Sequence, residues 1–499
     1  MRASHPGDTT LARVDRSTAW VAVASVVLGV MDAVSTILCL RIGVTVAELG
    51  AATLAVALFP IVDRLGGLGL TAAVIRETET DPGALSSVFW LGLGATAALL
   101  GVLALARPLA LACLPDPIIW ALLFAYTGRQ LVRHFSIVPE AMMKRDLRYR
   151  ELARVKMVGS FAETAVKIGF AYMATHGGGP RELAVWCFIL GPIANAIVTT
   201  IGTLICHPWR PHFVIRREVA VRAARFTAAV SGGELLYFAY TSADYLVVGA
   251  FFGDAAVGVY RLAYELVLDV VRLLSLVTTE VAFPTFARIS SDIGAVGAQL
   301  IRFTRQNLIV IAPFLVYAGI EADDLLALLF GVNAPAAATA ARVLCIVGAV
   351  RALGFIVPSM LAGIGRAAQV LVYNAFAAVL LPVLFVVAAL LAPRYGYLAV
   401  AGAWAAGYPI AFGVLLAMAL PAAELSTRTY FRSLAGIVAC AAGGLIAGLG
   451  MRFALPGTVI VRVIGVASVV FVVYGVMLAR IEGVTILKVV RRLRADPAA

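Results

Sequence analysis

Apolar runs long enough to cross a bilayer follow one another along nearly the whole chain, separated by short polar segments. They cover residues 18–40, 46–62, 84–106, 117–139, 156–175, 183–206, 226–252, 256–280, 302–320, 335–363, 367–392, 396–420, 432–452 and 459–479. A spanning helix needs about 20 such residues. The pattern therefore predicts an all-α integral membrane protein with about 14 transmembrane helices.

Composition agrees with the pattern. Of 499 residues, 62% are apolar and 14% are charged, against about 25% charged in soluble domains, which excludes a water-soluble enzyme. The first run is too long for a signal-peptide core and lacks a small-residue cleavage site. Leu38 before Cys39 also makes a poor lipoprotein cleavage context, so residues 18–40 are read as a retained helix. The six cysteines (Cys39, Cys113, Cys187, Cys206, Cys345 and Cys440) have no metal-ligand spacing and lie mostly in apolar runs. Neither a disulfide framework nor a metal is expected.

The formal charge is +12, and its distribution sets orientation. Basic residues near helix ends resist translocation. Alternate connections hold 29 of the 40 Lys and Arg on one side, including Arg129, Arg133, Lys144, Lys156, Arg210, Arg216, Arg217 and Arg222. The other side holds 6, among them Arg41, Arg181, Arg452 and Arg462. Both termini are thereby expected in the cytoplasm. Because the basic residues line one membrane face without interleaved aromatics, nucleic acid is not expected as a partner. The tail from Ile481 to Arg494 alternates apolar and basic residues, which fits either a surface-lying amphipathic helix or a frayed polar end.

Motifs that look like nucleotide sites read as helix packing. Gly67–Ala72 and Gly92–Ala97 match GxGxxA but lack the preceding strand and the following acid. They and Gly444-x-x-x-Gly448 are read as places where helix backbones approach closely. No Gly-Lys dipeptide, Asp-x-Asp or His-Glu-x-x-His occurs. No cofactor and no catalytic residue are expected.

Ionisable residues inside apolar runs are the default site candidates, because each costs at least about 2.5 kcal/mol in hydrocarbon unless partnered or hydrated. Arg261, Glu265, Asp269 and Arg272 are spaced 4, 4 and 3 apart, within about 80° on a regular helix. Glu234, Thr241 and Asp244 share a similar arc on the preceding run. The stripes either line an aqueous cavity, with arginines as phosphate donors, or neutralise each other at helical spacing. Asp32 and Lys167 lie deep in their runs, with Glu163 one turn from Lys167. Of Arg342 and Arg351, the latter, flanked by Gly348 and Gly354, is expected to face the interior while Arg342 snorkels outward. Glu321, Asp323 and Asp324 read as a solvated loop.

Several segments carry a family resemblance. Asp244-Tyr-Leu-Val-Val-Gly249, Gly253, Val257-Gly258-Val-Tyr260-Arg-Leu-Ala263 and Phe283-Pro284-Thr-Phe-Ala-Arg288 resemble the helix 7 to 8 signature of bacterial polysaccharide transporters. Arg41-Ile-Gly43, Glu48-Leu-Gly50, Leu68-Gly69-Leu70 and Ile75-Arg76 resemble the same family's helix 1 to 2 region. Val138-Pro139 through Arg148-Tyr resembles its basic helix 4 to 5 loop. These are the Wzx-type lipid-linked oligosaccharide flippases of the multidrug/oligosaccharidyl-lipid/polysaccharide exporter superfamily. Arg261 stands where the family usually has a small polar residue, so no family cavity pattern is carried onto the stripe.

The resemblance implies two pseudo-symmetric six-helix lobes plus two C-terminal helices. The expected divisions are a tail 1–17, an N-lobe 18–222, a C-lobe 223–425, two further helices 426–480 and a basic tail 481–499. The segment from Gly43 to Gly50 after the first helix is echoed by that from Gly253 to Gly258 after the seventh. The expected function is translocation of an undecaprenyl-diphosphate-linked oligosaccharide across the bacterial inner membrane by alternating access. Arg272, Arg351, Lys167 and Arg261 are the substrate-binding candidates. Asp32, Glu234, Asp244, Glu265 and Asp269 are the ion-coupling or gating candidates, for a proton or sodium ion. Membrane lipids, a polysaccharide polymerase and export machinery are the further expected partners. The alternatives are an ion-coupled drug antiporter of the same superfamily and a membrane polysaccharide polymerase or ligase.

Overall fold

A computed structural model describes residues 27–57, 81–113, 117–146, 148–331, 334–455 and 457–483. The Gly67–Ala72 motif and the tail beyond 483 lie outside them. Among the described residues the chain is helical throughout, without a strand. Each predicted apolar run contains helix, and nine helices among the described residues are long and apolar enough to cross a membrane. The chain is a multi-pass membrane protein.

It divides into two compact units, Met1–Gly258 and Val259–Ala499, so the expected lobe boundary at 222 falls inside the first. In the first unit, α1 covers residues 27–42, followed by α2 (Val46–Ala57), α3 (Pro82–Cys113), α4 (Pro117–Arg145), α5 (Tyr149–Thr175), α6 (Leu183–Cys206) and α7 (Arg217–Phe252). Polar connections extend several helices past their apolar cores: α7 starts nine residues before the predicted run, with its Arg217–Arg222 turn already helical. A capping box starts α2. The Thr45 amide donates to Glu48 Oε2 at 2.7 Å and the Glu48 amide to Thr45 Oγ1 at 3.3 Å. Arg181, in the α5–α6 connection, clamps this start through Glu48 and the Gly43 carbonyl at 2.8–2.9 Å.

Gly50 and Gly258 carry a backbone crossing within this unit. A methyl group on Gly50 would overlap the Asp254 carbonyl, and one on Gly258 would overlap the Val46 carbonyl. Only glycine permits this contact. The close approach expected at the Gly92–Ala97 motif is absent at Gly94, where a Cβ meets nothing within 4 Å. Gly448 packs against the side chains of Val470 and Ile320, not against backbone, and a Cβ on Gly444 would meet the Val470 carbonyl at an ordinary 3.6 Å.

α8 runs from Asp254 to Arg288, and Glu265–Asp269 within it forms a π-helical turn. The second unit continues with α9 (Ile293–Ile320), α10 (Ala322–Phe330), α11 (Ala338–Gly354), α12 (Ile356–Gly363), α13 (Ala367–Leu391), α14 (Tyr397–Ala422), α15 (Thr427–Ala454) and α16 (Val459–Ile481). The single run predicted over 335–363 is two helices meeting at Phe355. Pro358 cannot donate to the carbonyl of Gly354, which ends the regular ladder there.

The acidic residues expected in a solvated loop are instead packed. Glu321 stands at the N-cap position of α10 and is fully buried, Asp324 is 8% exposed, and Asp323 faces Arg342. Arg452 reaches Glu321 at 3.2 Å and Arg462 reaches Asp324 Oδ2 at 2.5 Å, so α10 ties α15 and α16 to α9. Charge pairing inside protein made burial affordable, which a count of acids in the sequence does not reveal. The Arg462 hydrogen bond holds the Asp324 carboxyl below its ordinary range. An acid with a depressed native value stabilises the fold above its ordinary range and loses that contribution as pH falls through the native value. Arg462→Met should shift the acid limb of thermal stability to higher pH, measured by melting in detergent across an acid series.

Candidate functional site

In the first unit, α1, α5 and α6 converge on Lys167. Its ammonium is 2.6 Å from Asp32 Oδ1, 3.2 Å from Glu163 Oε1 and 3.4 Å from Ser35 Oγ. α5 sets Glu163 and Lys167 one turn apart, and Asn195 Nδ2 of α6 donates to Glu163 Oε2 at 2.8 Å. Gly191 lets α6 lie against the Lys167 stem and the Glu163 carbonyl. Lys167 is 4% exposed, while the Asp32 side chain is 56% exposed. A buried ammonium is thus held by one shielded carboxylate and one that remains accessible.

Next to it lies a cavity of about 240 Å³, lined by Leu28, Arg129, Arg133, Ser136, Glu140, Lys156, Glu163, Asn195, Thr199 and Thr203. Arg129 sits 4.2 Å over the Tyr126 ring. Glu140 bridges Lys144 at 2.9 Å and Lys156 at 3.0 Å. Three cations against two carboxylates line the space, with amide and hydroxyl groups between them. Such a surface suits a phosphorylated, hydroxyl-rich headgroup. Sequence reasoning placed Arg129, Arg133 and Lys156 only among the cytoplasmic basic residues. The overlooked signal is that Arg129, Arg133, Ser136 and Glu140 recur at spacings of 4, 3 and 4, one face of α4.

The candidates of α7 differ in surroundings. Glu234 is exposed, whereas Asp244 is fully buried and its Oδ1 accepts the Tyr245 amide at 2.9 Å.

In the second unit the predicted stripe of α8 is re-phased by the π turn, because i to i+5 bonding breaks the 3.6-residue period. The ionic contacts survive: Arg261 lies 3.5 Å from both Glu265 and Asp269, and Arg272 lies 3.6 Å from Asp269. The neutralising contacts considered from spacing are therefore present. Glu265 is buried, whereas the Arg272 side chain is 64% exposed.

Arg351 is 5% exposed, and its Nη1 donates to the Tyr264 hydroxyl at 2.9 Å. Its guanidinium lies 5.4 Å from the Trp404 ring, 5.8 Å from Phe355 and 5.9 Å from Tyr408. The fork and planar stacking are specific to arginine. Arg351→Lys should lose about 1–3 kcal/mol, read as a lower melting temperature with the full charge retained. Arg342 reaches Asp323 and the Gly319 carbonyl from an exposed position. Thus Arg272 and Arg351, both substrate-binding candidates, occupy opposite environments. Among the described residues no group of three His, Cys, Asp or Glu is placed to hold a metal.

Apolar spanning helices, buried ion pairs in each unit and a polar cavity in the first are features of a multi-pass membrane protein. The chain belongs to the polysaccharide biosynthesis protein family, whose pattern matches residues 41–335. Among curated proteins it is 23% identical over 360 residues to the lipopolysaccharide biosynthesis protein WzxC of Escherichia coli (strain K12), covering 72% of this chain and 71% of that one. It is also 23% identical over 291 residues to the succinoglycan biosynthesis transport protein ExoT of Rhizobium meliloti (strain 1021), covering 57% of this chain and 56% of that one. Its fold resembles the lipid II flippase MurJ in an inward closed conformation, with a TM-score of 0.73 at 13% identity over 91% of this chain and 96% of that chain. An inward-facing multidrug resistance MATE family transporter matches with a TM-score of 0.59 at 14% identity, over 81% of this chain and all of the other.

Proposed function

We propose that this protein is a flippase that carries an undecaprenyl-diphosphate-linked oligosaccharide from the cytoplasmic to the outer leaflet of the bacterial inner membrane, for surface or exopolysaccharide synthesis. The proposal includes 14 spans, two six-helix lobes with two appended helices, and both termini in the cytoplasm. The observation that carries it is the cation-lined cavity of the first unit beside the Asp32–Lys167–Glu163 network. A diphosphate-sugar headgroup cannot cross hydrocarbon unaided, and this cavity offers arginine and lysine for the phosphates with amides and hydroxyls for the sugar. The names of the relatives, which cite lipopolysaccharide biosynthesis and succinoglycan transport, support the same substrate class.

In this account the phosphate competes with Asp32 for Lys167, and exchange of that ion pair accompanies alternating access. Exposed Arg272 is available to the headgroup, with Asp269, which Arg261 also contacts, as its resting partner. Arg351, enclosed by rings, positions α8 against α11. Glu234, Asp244 and Glu265 remain the candidates for coupling to a proton or sodium ion. A cation-lined cavity disfavours the cationic compounds typical of drug antiporters. An Arg129→Ala, Arg133→Ala variant that is correctly inserted should export little surface polysaccharide when it replaces the wild-type gene. Export at the normal rate would remove the cavity from the pathway.

A further inference from the structure

The connection from α6 to α7 reads His207-Pro-Trp-Arg-Pro-His-Phe-Val-Ile-Arg216. Pro208 and Pro211 lack amide donors and fix φ, so the helix cannot continue and the segment runs irregularly. It is strapped to the first turns of α3. Ser86 Oγ accepts the His212 amide at 2.9 Å, Ser87 Oγ accepts the Arg216 amide at 2.8 Å, and Trp90 Nε1 donates to the His212 carbonyl at 2.8 Å. Each serine hydroxyl also donates one turn back, to the Pro82 or Gly83 carbonyl, so both its capacities are used. Arg216 adds an ion pair with Asp81 at 2.7 Å, and Trp209 meets Phe89 edge to face at 5.5 Å.

So held, the strap turns three consecutive apolar side chains outward: Phe213 is 92% exposed, Val214 45% and Ile215 68%. Phe213 stacks on Trp90 with centroids 5.1 Å apart. Arg210, Arg216, Arg217 and Arg222 are exposed around them, against acidic Asp81 and Glu218. A connection in water gains nothing from rigidly presenting such a triplet, and a segment deep in hydrocarbon would not carry these arginines. The combination matches the membrane–water boundary, where aromatic rings sit at headgroup level and arginines meet lipid phosphates. Trp90 lies about 12 Å along the helix axis from Pro82, so the strap runs beside the outermost part of a spanning helix.

We propose that residues 207–217 form an interfacial docking strap for anionic phospholipid. Phe213, Val214 and Ile215 enter the boundary of the acyl chains, and Arg210 and Arg217 bind headgroup phosphates, while Arg216 stays on Asp81 and anchors the strap. The lipid seat then holds the start of α7 at the membrane surface.

The test uses the full chain with its six cysteines replaced by alanine and a Val214→Cys substitution carrying an environment-sensitive fluorophore. It is reconstituted in vesicles of phosphatidylcholine, with or without phosphatidylglycerol. The expected result is quenching by doxyl-labelled lipid and severalfold shielding from iodide, both greater with phosphatidylglycerol. Arg210→Gln with Arg217→Gln should erase the phosphatidylglycerol increment at an unchanged melting temperature, and the two lysine substitutions should keep it. A probe as open to iodide as free dye in both vesicles, shielding indifferent to lipid charge, or shielding that needs an added soluble protein would overturn the proposal.

Discussion

Lys167→Gln is expected to abolish export of surface polysaccharide and to destabilise the protein by about 3–5 kcal/mol, the usual consequence of breaking a buried ion pair from one side. The substitution removes the ammonium that Asp32 and Glu163 share at 2.6 and 3.2 Å, in a site where Lys167 is 4% exposed. Adding Asp32→Asn to the variant should restore part of the stability, since it removes one of the two carboxylates that lost their cation. The double-mutant cycle should give a coupling of about 1–3 kcal/mol between residues far apart in sequence. Export should stay lost in the double variant, as the proposed role of the Lys167 cation at the phosphate requires. Melting of the purified variants in detergent and complementation of a deletion strain read the two effects separately. Equal stability of Lys167→Gln and wild type would show that the pairing is incidental.

The second large effect concerns the crossing at Gly50 and Gly258. Gly258→Ala places a methyl group onto the Val46 carbonyl, and Gly50→Ala places one onto the Asp254 carbonyl. Backbone cannot step aside as a flexible side chain would, so each variant should lose several kcal/mol or fail to accumulate. Gly94→Ala, in a helix and with nothing within 4 Å of the added methyl, serves as control. It should be neutral or stabilise by up to about 1 kcal/mol. Expression in membranes together with melting distinguishes the three.

Helix positions were readable because a bilayer demands long apolar runs, and each run does contain helix. What periodicity missed are the places where backbone geometry leaves the regular helix. The π turn at Glu265–Asp269 and the break at Phe355 carry no apolar signature of their own. The capping box at Thr45–Glu48 carries a polar one, Thr-x-x-Glu. Asp32 and Lys167 were each legible as expensive in hydrocarbon, but not as partners, since the fold brings them together from α1 and α5. The α4 face of Arg129, Arg133, Ser136 and Glu140 was hidden by its place near the basic end of a helix, where charge is ordinarily explained by orientation alone. Glu321 and Asp324 were misread because acids after an apolar run usually meet water, whereas here arginines from α15 and α16 meet them.

The central claim, that the charged interior of the first unit handles an anionic headgroup during translocation, is tested most directly in vesicles holding the purified protein and a lipid-linked oligosaccharide with a reporter on its sugar. A membrane-impermeant reagent then reads how much headgroup from the inner leaflet reaches the outside. The account predicts rapid exposure with wild type, and exposure no faster than in protein-free vesicles with Lys167→Gln or with Arg129→Ala, Arg133→Ala. Equal rates for wild type and these correctly folded variants would contradict it.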